Sequence, residues 1–108
     1  MTAPELTAAE LAARVGQDPP VVLDVREDWE WEAGHIAEAV HIPLGELAPR
    51  LGELPGDRPI VLVCRSGVRS QMAADAMADA GWNTLNLAGG LLAWHAAGLP
   101  LEPPGQVA

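Results

Sequence analysis

Between Pro59 and Ala80 the chain changes its hydrophobic period once. Ile60, Val61, Leu62 and Val63 are consecutive apolar residues, the pattern of a short strand buried on both faces. Ser70–Ala80 is rich in alanine and methionine with apolar positions at helical spacing. The stretch predicts a strand, a loop of six residues from Cys64 to Arg69, and a helix that begins at Ser70. The rest of the chain punctuates in the same way. Thr7-Ala8-Ala9-Glu10 is a capping-box pattern and predicts a helix over Ala8–Val15. Val21–Arg26 reads as a buried strand with a polar end, Asp28–Ala33 as a short helix closed by Gly34, and Ala39–Ile42 as a strand ended by Pro43. Glu46–Leu54 predicts a third helix marred by Pro49. Thr84–Leu87 predicts a last strand, and Gly89-Gly90 opens a helix to about Ala97. The tail Leu101–Ala108, with Pro103, Pro104 and Gly105, predicts an irregular or frayed end.

Strands alternate with helices over connections too long for hairpins, which predicts an α/β domain whose mainly parallel central sheet is flanked by helices on both faces. Ligands of such sheets sit at the carboxyl ends of the strands. Asp24, Arg26 and Cys64 all fall at such ends.

Composition narrows the function classes. The 108 residues make one domain, with an irregular tail over 101–108, and 49% hydrophobic residues exclude a disordered chain. No apolar run approaches the length of a membrane span, and the N-terminus has no signal-peptide pattern, so the expected compartment is the cytoplasm. A single cysteine forms no internal disulfide, and His35, His41 and His95 are scattered, so neither a metal site nor a cofactor is expected. The net charge of −9, without any lysine, argues against binding nucleic acid through the general surface, and without a span no membrane partner is expected. Two of the six arginines, Arg65 and Arg69, nonetheless flank Cys64. Positive charge kept at one loop suggests a small anionic substrate, although solubility alone also accounts for an acidic surface.

The loop explains what the cysteine is for. A helix N-terminus directs unpaired N–H groups and the positive end of its dipole at whatever precedes it. A free thiol is only about 3% ionised at pH 7, and such surroundings make the thiolate the main form. The plainer alternative is a small buried hydrophobe at a strand end. Arg65 and Arg69 weigh against it, because inert buried cysteines sit in apolar surroundings.

Four separated pieces then resemble the rhodanese-like sulfurtransferases in their short single-domain form. They are Leu23-Asp24-Val25-Arg26-Glu27, Gly34-His35-Ile36 followed by Ala39, Ile42 and Pro43, Cys64-Arg65-Ser66-Gly67-Val68-Arg69-Ser70, and Gly89-Gly90-Leu91-Leu92-Ala93-Trp94. Glu38 and His41 depart from the residues frequent in the family, and neither lies in the loop. The resemblance implies a rhodanese-like domain in which Cys64 takes the outer sulfur of a donor such as thiosulfate, holds it as a persulfide and passes it to cyanide or a thiol. It implies a small anionic donor and, as further partners, a mercaptopyruvate-like compound, glutathione persulfide or a partner protein carrying the sulfur. The expected site is Cys64 as an accessible nucleophile and the Arg65, Ser66, Gly67, Val68, Arg69 and Ser70 loop as substrate cradle. Within it Gly67 permits a tight turn, and Arg65 and Arg69 pair with the donor's sulfonate oxygens.

Asp24 and Arg26 are expected to pair with each other and support the loop rather than act on substrate. A dyad of His35 with Cys64 is disfavoured, because a histidine after glycine at a helix end more often satisfies the backbone. Trp29 and Trp31 cannot share a helix face, so one is core and the other rim, while Trp82 and Trp94 read as packing. Cysteine phosphatases and arsenate reductases resemble the same strand-loop-helix, but place an arginine where this chain has Ser70, and their loop is one residue longer. A non-catalytic rhodanese-like binding module is the remaining class, and the cysteine in an arginine-rich loop argues against it.

Overall fold

A computed structural model gives the arrangement of residues 2–108. Strands β1 (Glu5–Leu6), β2 (Val21–Asp24), β3 (Val40–His41), β4 (Ile60–Val63) and β5 (Thr84–Leu87) form one parallel sheet in the order β1-β5-β4-β2-β3. Helices α1 (Ala8–Arg14), α2 (Asp28–Ala33), α3 (Leu47–Arg50), α4 (Val68–Asp79) and α5 (Gly90–Ala96) connect or follow them. The parallel α/β architecture is the one the alternation predicts. β1 is an addition: at two residues it is too short to show a periodicity, and it exists because Glu5 and Leu6 pair with Asn86 and Leu87.

Successive side chains of a strand point to opposite faces, so β2 and β4 build two cores at once. Val21, Leu23, Ile60, Leu62 and Cys64 pack with Leu47 of α3 and Ala73, Ala74 and Met77 of α4. Val22, Val61 and Val63, joined by Leu87, pack with Leu11 of α1 and Leu91 and Trp94 of α5. The sheet is thus covered on both faces, which is why its central strands are apolar without interruption.

Local signals account for most helix ends. Thr7 Oγ1 accepts from the Glu10 amide at 3.1 Å and Glu10 Oε1 accepts from the Thr7 amide at 2.8 Å, closing the capping box. The single helix expected over Glu46–Leu54 is instead one turn of α-helix, Leu47–Arg50, between 3-10 turns at Leu44–Glu46 and Leu51–Glu53. Pro49 has no N–H to continue a longer ladder. The tail is irregular in backbone but packed: Leu101 is buried, Glu102 forms an antiparallel bridge with His35, and Val107 lies against the second core.

Trp94 is buried with its indole N–H donated to the Pro100 carbonyl at 2.8 Å, and Trp82 is half-buried against the first core. Trp29 is exposed, whereas Trp31 stacks on the rings of both His35 and His41, at 3.5 and 4.7 Å between centroids.

Candidate active site

The carboxyl ends of β2, β4 and β5 converge on the segment that follows β4. There α4 begins at Val68, two residues before the expected Ser70, so the loop shortens to Cys64–Gly67. Gly67 sets this boundary with φ of +96°, a left-handed conformation that other residues adopt only at a cost. A Cβ there would also lie 3.3 Å from the Gly89 amide nitrogen and the Leu87 carbonyl.

The earlier start brings the first turn of α4 onto the sulfur. The Gly67 amide donates to Cys64 Sγ at 3.1 Å, the Ser70 amide at 3.4 Å and the Ser70 hydroxyl at 3.2 Å. Sulfur therefore takes the place of the oxygen that ordinarily caps a helix. The thiol is not the accessible group expected from the sequence. Cys64 is fully buried and belongs to the first core, one layer beneath exposed Arg65, Ser66 and Val68. Burial pushes the thiol pKa up. The Ser70 hydroxyl and the amides of Ser70, Gly67 and Ser66 pull it down, and the net displacement is downward from the ordinary thiol value. The anion is thus favoured chiefly by short-range hydrogen bonds, a different cause from the two guanidinium groups that the sequence suggests.

Ser70 is itself held by a residue that the motif reading does not single out. Its Oγ lies 2.6 Å from Asn86 Oδ1, while Asn86 Nδ2 donates to the Gly67 carbonyl at 2.9 Å, which fixes the amide's orientation. A hydroxyl has one proton, so Ser70 gives it either to Asn86 or to Sγ. With a neutral thiol the chain can run from S–H to Ser70 to Asn86; with a thiolate the Ser70 proton turns to the sulfur. The one visible signal for Asn86 is an amide between Leu85 and Leu87 in a buried strand.

From the other side α5 holds the loop. The Leu91 amide donates to the Cys64 carbonyl at 2.9 Å and the Leu92 amide to the Arg65 carbonyl at 3.1 Å. A Cβ on Gly90 would sit 2.5 Å from both carbonyl oxygens, so only glycine allows this approach.

The arginines are arranged less freely than expected. Arg69 directs Nη1 and Nη2 to the two carboxylate oxygens of Glu30, each at 2.8 Å, in a bidentate pair. Glu30, on α2, is 5% exposed and Arg69 38%. The Arg69 guanidinium, first among causes, holds the Glu30 carboxyl below its usual value against the effect of burial. Arg65 is exposed and donates Nε to the Ala108 oxygen at 2.9 Å.

Asp24 and Arg26 do pair, through Nε and Nη2, and Arg26 also donates its backbone N–H to Asp24 and Nη2 to the Gly34 carbonyl. Arg26 is fully buried, and its Nη1 has no partner among the described residues. His35 does not bond to Cys64. Its Nδ1 meets the Trp31 carbonyl at 2.8 Å, the backbone role expected for it.

Comparison with known proteins gives the family. The family model for the Rhodanese-like domain matches residues 7–97. A protein of Allochromatium vinosum named a sulfurtransferase is 36% identical over 102 residues, covering 93% of this chain and 95% of its own length. A HTH-type transcriptional regulator of Mycobacterium tuberculosis is 46% identical over 100 residues, and there the match spans 90% of this chain but only 44% of the regulator. Among solved structures, a rhodanese-related protein from Thermoplasma volcanium superposes with a TM-score of 0.85 at 32% identity, covering 91% of this chain and 96% of that one. With a five-stranded parallel sheet, a cysteine at the end of β4 capping the next helix, and a family match over most of its length, the chain belongs to the rhodanese-like family.

Proposed function

We propose that this protein is a sulfurtransferase that carries a sulfane sulfur as a persulfide on Cys64. The observation that carries the reading is the set of three donors on Cys64 Sγ, one hydroxyl and two amides, which favours an anionic sulfur on a residue that is itself buried in the core. In the first step the thiolate attacks the outer sulfur of the donor. With thiosulfate, a new S–S bond forms, the old one breaks, and sulfite departs with the bonding pair. With a persulfide R–S–SH, the leaving group is R–S⁻, which takes the proton from the new persulfide and departs as R–SH. In the second step cyanide or a thiolate attacks the outer sulfur and Cys64 leaves as thiolate, giving thiocyanate or an acceptor persulfide. Such an exchange is covalent catalysis with ping-pong kinetics.

The chain's groups have separate parts in it. The Gly67 and Ser70 amides and the Ser70 hydroxyl hold the anion, while Arg65, Ser66, Val68 and Arg69 form the face met by donor and acceptor. Among the described residues the Val68 and Arg69 amides have no protein acceptor, as expected in the first turn of a helix, which leaves them for the outer sulfur. The Asp24–Arg26 pair supports this edge of the sheet without touching substrate. The working form is a reduced thiol, which suits the cytoplasm, and among the described residues no helix is long and apolar enough to cross a membrane. A partner protein, as donor or acceptor, would meet the same exposed loop.

Mixing the reduced protein with excess thiosulfate and no acceptor tests the first step. One sulfite per protein in an initial burst, absent in Cys64→Ser, is the expected result. Hydrolysis of an aryl phosphate that disappears in Cys64→Ser, without sulfite release, would favour a phosphatase instead.

A further inference from the structure

Resting on the sulfurtransferase reading, we infer that Glu30 is a specificity-determining residue: by occupying Arg69 it turns the site away from small dianionic donors and toward sulfane sulfur carried as a persulfide. Thiosulfate presents two negative charges that must be met at the loop, whereas a persulfide group carries at most one and its carrier departs as a thiol.

The structure supplies little cationic charge for the first and suits the second. Both terminal nitrogens of Arg69 are spent on the two oxygens of one carboxylate. That carboxylate is nearly inaccessible to solvent, so water screens the pair weakly from its side. Glu30 is in turn fixed by the Glu27 amide, which donates to Oε1 at 3.0 Å. Glu27 also helps hold the Arg69 guanidinium charged, so two acidic groups act on it. The other loop cation, Arg65, keeps its charge but is exposed, so solvent and salt screen it, and its Nε is engaged by the Ala108 oxygen. Around the neutralised Arg69 the chain carries a net charge of −9, which repels a dianion more than a monoanion. Glu30 touches no reacting atom; it acts through Arg69.

The test measures second-order rate constants for loading sulfur onto Cys64, read by intact mass of quenched samples, with thiosulfate and with hydroxyethyl persulfide as probes. Glu30→Gln keeps an oxygen to accept from the Glu27 amide and removes the charge. The expected result is a rise of about tenfold in the ratio of thiosulfate to persulfide rate constants, the scale of one released charge-assisted hydrogen bond. In Glu30→Gln/Arg69→Gln the ratio should return to the wild-type value. A ratio that stays constant or falls in Glu30→Gln, or a rise that survives loss of Arg69, overturns the inference.

A wild-type measurement serves if the variant does not fold. Raising ionic strength should speed loading by thiosulfate, because screening relieves repulsion; slowing would show an unneutralised cationic site and overturn the inference. Failure of both probes to load Cys64 in folded wild-type protein would instead remove the sulfurtransferase reading itself.

Discussion

At the scale of single residues, the properties of Cys64 depend on one shared proton. Ser70→Ala removes the donor that contributes most to lowering the thiol pKa, and leaves burial unopposed by it. The alkylation profile with iodoacetamide should then move to higher pH, with sulfur loading at neutral pH falling roughly 5- to 20-fold. An unchanged profile would mean that Ser70 gives its proton to Asn86 throughout. Asn86→Leu should move the profile the opposite way, since the hydroxyl is then free to serve sulfur alone. Its cost is one of the two donors to the Gly67 carbonyl, which keeps the Gln71 amide at 3.2 Å, so urea unfolding should show a loss of about 0.5–1.5 kcal/mol. Cys64 and its flanking loop are legible in sequence because the motif is contiguous. Asn86 and Glu30 are not: they reach the loop across 16 and 39 residues of chain, distances at which spacing carries no signal. Arg65 and Arg69 are visible as charges, but what engages them is a matter of tertiary packing.

At the scale of elements, the sequence locates nearly every strand and helix but misplaces the boundary that matters most. Alanine and methionine mark α4 by propensity, while its true start is set by the left-handed turn at Gly67, which propensity does not report. Those two residues decide which amides face sulfur. The same argument makes Gly90 a structural requirement of the loop. Gly90→Ala would force a methyl to within 2.5 Å of the Cys64 and Arg65 carbonyl oxygens, so α5 must withdraw. A loss of about 1–3 kcal/mol in stability is expected, together with slower persulfide formation. If stability falls but Cys64 still loads at the wild-type rate, α5 supports the fold and not the site. On β2, Asp24→Ala would leave the fully buried Arg26 guanidinium without its counter-charge, and urea unfolding should show a loss of about 3–5 kcal/mol. Pairing of these two residues is legible from their place at a strand end, whereas the complete burial of Arg26 and its bond to the Gly34 carbonyl are not.

At the scale of the whole molecule, parallel topology follows from the alternation of strands and helices, and with it the convergence of the β2, β4 and β5 ends on one site. The two edge strands, only two residues each, lie at the limit of what a pattern can show. Charge ties this fold to pH. Glu30 is held below its usual value, first by Arg69. A carboxyl lowered on folding contributes stability that is fully present above its unfolded value and lost as pH falls through the folded one. Stability should therefore decline as pH drops below about 4.5, the ordinary glutamate value, and Glu30→Gln should flatten part of that decline in acid urea titrations. A variant that keeps the full acid dependence would mean that the Arg69 pair adds nothing to stability.

The central claim is that Cys64 carries sulfur, and intact mass reads it directly. Reduced protein incubated with thiosulfate or hydroxyethyl persulfide, then desalted, should gain the mass of one sulfur atom on the peptide that contains Cys64. Cyanide should remove it and release thiocyanate. No added sulfur from either donor, in folded protein whose Cys64 still alkylates, would contradict the account.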